Sequence, residues 1–334
     1  MRSRDLGIVL GELEPGPLDA ITDVAGTLVG HTTLVEGDAV RTGVTVVLPN
    51  EDGSPVFAAP HRLNGNGELT GLKWVRESGL LTTPVAITNT FSVGVVRDAL
   101  VRYQHARGRG DWHLPVVGET YDGRLNDIEG MHVRAEHVFA AIDGARGGPV
   151  EEGGVGGGTG MIAHGFKGGI GTASRRTSGG HVLGVLVQAN HGRRSRFTVG
   201  GVNVGARLDA IPLPGADAPT GSIIVLVATD APLLPHQCAR IAQRAALGIG
   251  RVGGAGENSS GDLVLAWATG NRLSTAPEQQ LRMLNGLDEL FYAAIEATEE
   301  AILNALLAAR TTTGRGGVTA HALDPELLLA ALRA

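Results

Sequence analysis

Apolar positions along this chain recur in two patterns. Residues 44–48, 84–88, 182–187, 222–227 and 263–267 are short, almost continuously apolar runs rich in Val, Ile and Leu, each bounded by Gly, Pro or polar residues. Continuous rather than alternating apolarity predicts strands buried on both faces. Residues 95–105, 132–142, 236–247, 287–310 and 325–332 instead space their apolar side chains at helical intervals. Buried strands alternating with amphipathic helices predict a layered α/β fold, sheets inside and helices outside. At 334 residues the chain is read as one large domain, 1–334.

Punctuation between these elements comes mostly from glycine, of which there are 51. Gly248-x-Gly250-x-x-Gly253 has the spacing of a dinucleotide fingerprint, but that motif must follow a strand and open a helix. Here it follows a helical stretch, so it is read as a helix C-cap and loop, and no cofactor is expected. Residues 152–160 and 165–172 form a second Gly-rich region without the Lys-Ser/Thr ending of a phosphate loop. It is read either as backbone lining a pocket, with Lys167 serving the substrate, or as tight turns with a solvated lysine. The segments 208–220 and 253–259 are read as surface connections.

Composition removes several function classes. A net charge of -6 with interspersed signs gives no footprint for nucleic acid. No run approaches the roughly 20 apolar residues of a membrane span, and the charged first residues lack an apolar core, so a cytoplasmic address is expected. The lone Cys238 fits a reducing compartment and sits in a helical pattern as a buried thiol. Among 11 histidines only His132 and His137 cluster, with Glu136, in an order that matches no zinc motif; no metal is expected.

Candidate chemistry lies at Gly256-Glu257-Asn258-Ser259-Ser260-Gly261-Asp262, where a Gly-rich loop becomes the apolar strand 263–267. A serine that opens a strand is well placed to become a new N-terminus. An N-terminal serine carries a nucleophile and, in its own α-amine with a pKa of about 7.7, a general base. One cut would assemble that pair.

The opening residues Arg4-Asp5-Leu6-Gly7, 16–24 and 29–34 resemble the start of the L-aminopeptidase/D-esterase family, self-processing hydrolases that include β-peptidyl aminopeptidases and, more distantly, nylon-oligomer hydrolases. The likeness continues in family order through Gly158-Thr159-Gly160-Met161, 166–172, Val187-Gln188-Ala189-Asn190, 228–233, Ser260-Gly261-Asp262 and Thr298-Glu299-Glu300-Ala301-Ile302. It implies a four-layer αββα sandwich of the N-terminal-nucleophile-hydrolase type, and cleavage between Ser259 and Ser260 into chains 1–259 and 260–334. It implies a serine aminopeptidase or amidase acting on small peptides, amides or esters, without a cofactor, as a homotetramer of processed protomers.

The resemblance also supplies roles. Asn190 matches an oxyanion-stabilising asparagine, against a plain reading as a strand-ending turn residue. Thr298 and Glu300 match a pair that orients the nucleophile. Residues two apart point about 200° apart on a helix, so Thr298 is expected as an N-cap. The alternative is one long helix with Glu300 solvated. His164 stands where some relatives carry a pocket tyrosine, and Ser259 where they often carry Gly or Asn. Glu152, Asp262 and Glu300 are left as candidates to bind a substrate amine. Two other readings stay open, a self-cleaving acyltransferase of the ornithine acetyltransferase type and an unprocessed binding protein of the same fold.

Overall fold

The computed structural model of the chain describes all residues except 110–111, 216–220 and 275, so the end of the connection expected at 208–220 lies outside the described residues. In chain order the longer strands and helices begin with β1 (Leu28–Glu36), β2 (Val40–Leu48), β3 (Val56–Gly65), α1 (Leu72–Ser78) and β4 (Leu80–Leu81). They continue with β5 (Val85–Asn89), α2 (Val93–Ala106), β6 (Val116–Thr120), α3 (Ala135–Asp143), β7 (Gly169–Arg176) and β8 (Val182–Ala189). The last are β9 (Ile223–Thr229), α4 (Pro235–Arg251), β10 (Gly261–Ala268), α5 (Asp288–Ala308) and α6 (Pro325–Arg333). All five apolar runs became strands.

One sheet has the order β1-β2-β5-β6 and the other β4-β3-β10-β9-β8-β7. Within each, one neighbouring pair is parallel, β5 with β6 and β9 with β10, and the rest are antiparallel. Side chains alternate faces along each strand, which sorts the apolar residues into three cores. Ile224, Leu226, Leu263, Leu265 and Trp267 of the larger sheet meet Val47, Val85, Ile87 and Val116 of the smaller, filling the space between sheets. Val225, Val227, Val264 and Ala266 face outward onto α4 and α5. Val44, Val46, Ala86 and Val117 face outward onto α2 and α3. The layers therefore run helix, sheet, sheet, helix, as the resemblance implied.

Two helix expectations need correction. The cap reading of the fingerprint glycines holds for Gly253 alone, which turns left-handed one residue past the cap Val252; Gly248 and Gly250 lie inside α4, which runs to Arg251. A Cβ on Gly248 would stand 2.6 Å from both Ile295 O and Thr298 Cβ, so the glycine lets α4 and α5 touch backbone to backbone. Nor does a helix begin at Thr298. Helix α5 is continuous from Asp288 to Ala308, and residues 296 to 307 are all buried. It packs on β7, β8 and α4, while residues 3–13 of the N-terminal segment bond to Glu296, Glu300 and Asn304 along its remaining face.

Candidate active site

Ser260 directly precedes β10, and its placement follows from that strand's central position between β3 and β9. It is buried at 3% exposure. Its Oγ lies 2.5 Å from Asp262 Oδ1 and 2.6 Å from the carbonyl of Gly221. Burial pushes the Asp262 carboxyl up to about 6, with the Ser260 hydroxyl pulling it down and Glu257 adding to the rise. The peptide nitrogen of Ser260 donates to Glu257 O at 2.7 Å, and Gly261 N donates to Ser222 Oγ at 2.9 Å. A hydroxyl held against a carboxylate poised near neutral pH is arranged for proton transfer.

β3 supplies residues that sequence reasoning missed. Asn66 Nδ2 donates to Ser259 O at 2.9 Å, and Asn66 N donates to Ser260 O at 3.2 Å. Asn64 Nδ2 donates to Glu257 O at 2.8 Å and to Ser260 O at 2.5 Å. The only signal was a pair of Asn residues, Asn64 among the last paired positions and Asn66 just past them, at the end of a strand that the apolar pattern did not register.

A cleft opens beside this junction, lined by Ser259, Asn66, Glu68, Thr90, Glu119 and Tyr121. Glu119 is 4% exposed at the end of β6, accepts from Glu68 N at 2.9 Å and takes a bond from the Thr90 hydroxyl. Burial raises its pKa, against the pull of Thr90 and Glu68 N. With the exposed Glu68 it is one of two acids lining this space, and neither was among the three candidates named from sequence.

Of the expected site residues, Asp262 and Asn190 come near Ser260. Asn190 ends β8; its Oδ1 accepts from Ile162 N at 2.8 Å and its Nδ2 donates to Tyr121 O at 3.0 Å. A Cβ on Gly221 would stand 2.3 Å from that Nδ2, so Asn190 lies one residue behind the carbonyl that contacts Ser260 Oγ. Its contacts brace the cleft wall.

The others lie elsewhere, each for a visible reason. Lys167 is fully buried, with Nζ donating to the carbonyls of Gly158, Met161 and Gly168 at 2.7–3.1 Å; it ties the Gly-rich loop and is neither solvated nor open to substrate. Burial lowers its pKa to about 7. His164 is also buried, its ring 4.8 Å from Phe197 and 5.0 Å from His191, outside the cleft lining. Glu152 pairs with Arg2 at 2.9 Å and accepts from Thr172 N at 2.8 Å, and burial raises it to about 7.

Thr298 Oγ1 donates to Ala294 O at 2.7 Å inside the contact with α4. Glu300 is not solvated either. It meets Arg175 at 2.6 Å, Arg4 at 3.0 Å and Ser3 Oγ at 2.7 Å. Burial alone would raise its pKa, and Arg175, Ser3 and Arg4 outweigh that and lower it. Register puts Asp262, Ile223, Ala189 and Gly169 in one row across the sheet, and Arg175 lies six residues further along β7. At about 3.3 Å per residue that is about 20 Å from the Asp262 row, which separates the Glu300 cluster from Ser260.

Among the described residues no group of three or more His, Cys, Asp or Glu side chains is gathered to hold a metal, and no helix is long and apolar enough to cross a membrane. His132 bonds Asp127 at 3.1 Å ahead of α3, and His137 Nδ1 accepts from Arg134 N.

Comparison with known proteins bears on the fold and the family. The chain is similar to the β-peptidyl aminopeptidase BapA of Sphingosinicella microcystinivorans, 46% identical over 99% of this chain and 92% of the relative. Among solved structures it resembles a Burkholderia sp. β-aminopeptidase, 54% identical with a TM-score of 0.95 over 100% of this chain and 98% of the other. It also resembles the L-aminopeptidase D-Ala-esterase/amidase of Ochrobactrum anthropi, described as a variant of the Ntn hydrolase fold, at 43% identity and a TM-score of 0.94 over 99% and 98% of the two chains. The model of peptidase family S58 matches residues 19–320, and with the layered fold and the relatives above it makes this chain a member of peptidase family S58, a hydrolase of peptide bonds.

Proposed function

We propose that the chain cuts itself between Ser259 and Ser260 and then works as an N-terminal-serine aminopeptidase on small peptides, amides or esters with a free amine. The observation that carries this reading is the 2.5 Å contact of Ser260 Oγ with Asp262 Oδ1 beneath the cleft. In the precursor Asp262 takes the Oγ proton as Oγ bonds to the Ser259 carbonyl carbon. The C–N bond then breaks and the proton passes to the Ser260 nitrogen, leaving an ester. Water adds to that ester, the C–Oγ bond breaks, and a Ser259 carboxylate and a free Ser260 amine remain.

After cleavage the Ser260 amine, with a pKa of about 7.7, accepts the Oγ proton when a substrate carbonyl arrives. The substrate's own ammonium would lie against Glu119, which limits hydrolysis to the first residue. The β-peptidyl aminopeptidase and β-aminopeptidase relatives extend the substrate class to β-amino acyl groups. The two pieces stay joined, because 260–334 contributes β10 to the middle of the larger sheet and α5 to its cover. The lone Cys238 favours a cytoplasmic address, and the resemblance a tetramer of processed protomers.

Mass spectrometry of the purified chain tests the cut directly, and a panel of α- and β-amino acyl p-nitroanilides tests the activity. Two further outcomes follow. Asp262 must be ionised to accept a proton, so the rate of self-cleavage rises with pH through about 6 and levels off above it. A rate that falls over pH 5–7 would contradict this role. Glu119→Gln removes the charge facing the substrate amine, and charge-assisted bonds contribute about 1.5–3 kcal/mol. Steady-state kinetics should show kcat/KM reduced about 10–100-fold for amines, with little change for the matching substrate lacking the amine; equal losses on both would remove Glu119 from amine binding.

A further inference from the structure

The scissile carbonyl is held by a side chain that neither the nucleophile nor its base explains. We propose that Asn66 is the oxyanion donor of self-cleavage, and that it serves the substrate carbonyl at the same position afterwards; this rests on the reading of Ser260 as the nucleophile.

Three observations on different elements support it. Asn66 Nδ2 already donates to Ser259 O at 2.9 Å, the oxygen that becomes negative when Ser260 Oγ adds to the carbonyl carbon. An amide in place before the reaction needs no reorganisation as charge develops. Second, Asn66 is aimed by a bulge. Pairing of β3 with β10 runs Leu265 with Pro60 and Leu263 with Arg62, then slips so that Asp262 meets Asn64 and Gly261 meets Gly65, leaving Leu63 as the extra residue. Without that slip Asn64 would stand opposite Gly261 and every later side chain would move by one position and change face. With it, Asn66 comes opposite Ser260, and its own N–H bonds Ser260 O.

Third, Asn64 holds the other carbonyls of the junction, bonding Glu257 O and Ser260 O, so the two asparagines clamp the peptide on both sides of the cut. Asn190, the residue expected from resemblance to stabilise the oxyanion, directs its carboxamide to Ile162 N and Tyr121 O. Asn66 and Ser259 both line the cleft. Once the Ser259 carboxylate moves away, the Asn66 amide is left facing the space where a substrate carbonyl would take its place.

The experiment follows freshly purified full-length precursor by mass spectrometry at several pH values, for wild type, Ser260→Ala, Asn66→Ala and Asn66→Asp. The expected result is a plateau rate about 10²–10³-fold lower in both Asn66 variants. Their midpoint near pH 6 should stay in place, since Asp262 and Ser260 still touch; a site that had merely collapsed would lose that midpoint. Turnover by the processed Asn66→Ala protein should fall in kcat more than it rises in KM. Cleavage at the wild-type rate in either variant overturns the assignment while leaving Ser260 as nucleophile. A wild-type chain that stays intact, or a Ser260→Ala chain that is cut, removes the nucleophile reading and the assignment with it.

Discussion

Ser260→Ala is expected to leave a single 34.4 kDa chain after any length of incubation, while the wild type separates under denaturing conditions into 1–259 and 260–334. The substitution deletes the atom proposed to attack and leaves everything around it. Asp262 keeps its carboxylate, Asn66 keeps its bond to Ser259 O, and the buried alanine fills nearly the same space. Folding should therefore be retained, and far-ultraviolet circular dichroism should match the wild type. Hydrolysis of amino acyl p-nitroanilides should drop by about 10⁶-fold, the scale seen when a covalent nucleophile is removed. Both losses have one cause, since without the cut no α-amine exists at residue 260. A Ser260→Ala chain that still processes would mean that the nucleophile is elsewhere. Ser260→Thr keeps a hydroxyl, so it should cut, more slowly.

Arg175→Ala is expected to destabilise the chain by about 3–5 kcal/mol, the usual cost of stranding buried carboxylates by removing their partner. Arg175 is 0% exposed and touches three acids: Glu300 at 2.6 Å, Glu296 at 3.1 Å and Asp19 at 3.7 Å. It also donates to the carbonyls of Leu10 and Ser174, which ties the N-terminal segment to β7. Without the guanidinium Glu300 keeps only half-covered Arg4 and Ser3, and Asp19, already raised to about 6 by burial, is left near a second acid. Urea unfolding monitored by tryptophan fluorescence should show an earlier midpoint with an unchanged slope. Because this cluster sits about 20 Å along the sheet from the Asp262 row, cleavage in the folded variant should keep its pH midpoint. A variant as stable as wild type would show that the acids lose their charge or are hydrated when Arg175 is absent.

The strands were legible because burial on both faces leaves an unbroken apolar run, and residues 223–227 and 263–267 alternate in the structure between the inter-sheet core and the helix-facing core. β3 escaped because its outer half, His61-Arg62-Leu63-Asn64, is mostly polar and lies partly or fully exposed. The loop-to-strand junction at Ser260 was legible as well, since a Gly-rich loop opening directly onto an apolar strand is a local feature. Thr298 and Glu300 failed for the opposite reason. Helical geometry says only that they point apart, and whether either direction is wet depends on α4 and on the N-terminal segment, which lie far off in sequence.

The sequence by itself determined the layer types, the family and the residue at which the chain is read to cut, because each is written in local periodicity or contiguous motifs. Tertiary structure alone decided which groups stand around that residue. Asp262 reaches Ser260 across one intervening residue, but Asn66 arrives 193 residues away from Ser259 through a bulge, and Glu119 through the facing sheet. The same packing took Lys167 and Glu300 out of reach, because a buried charge goes to whichever carbonyls or counter-ions the fold supplies.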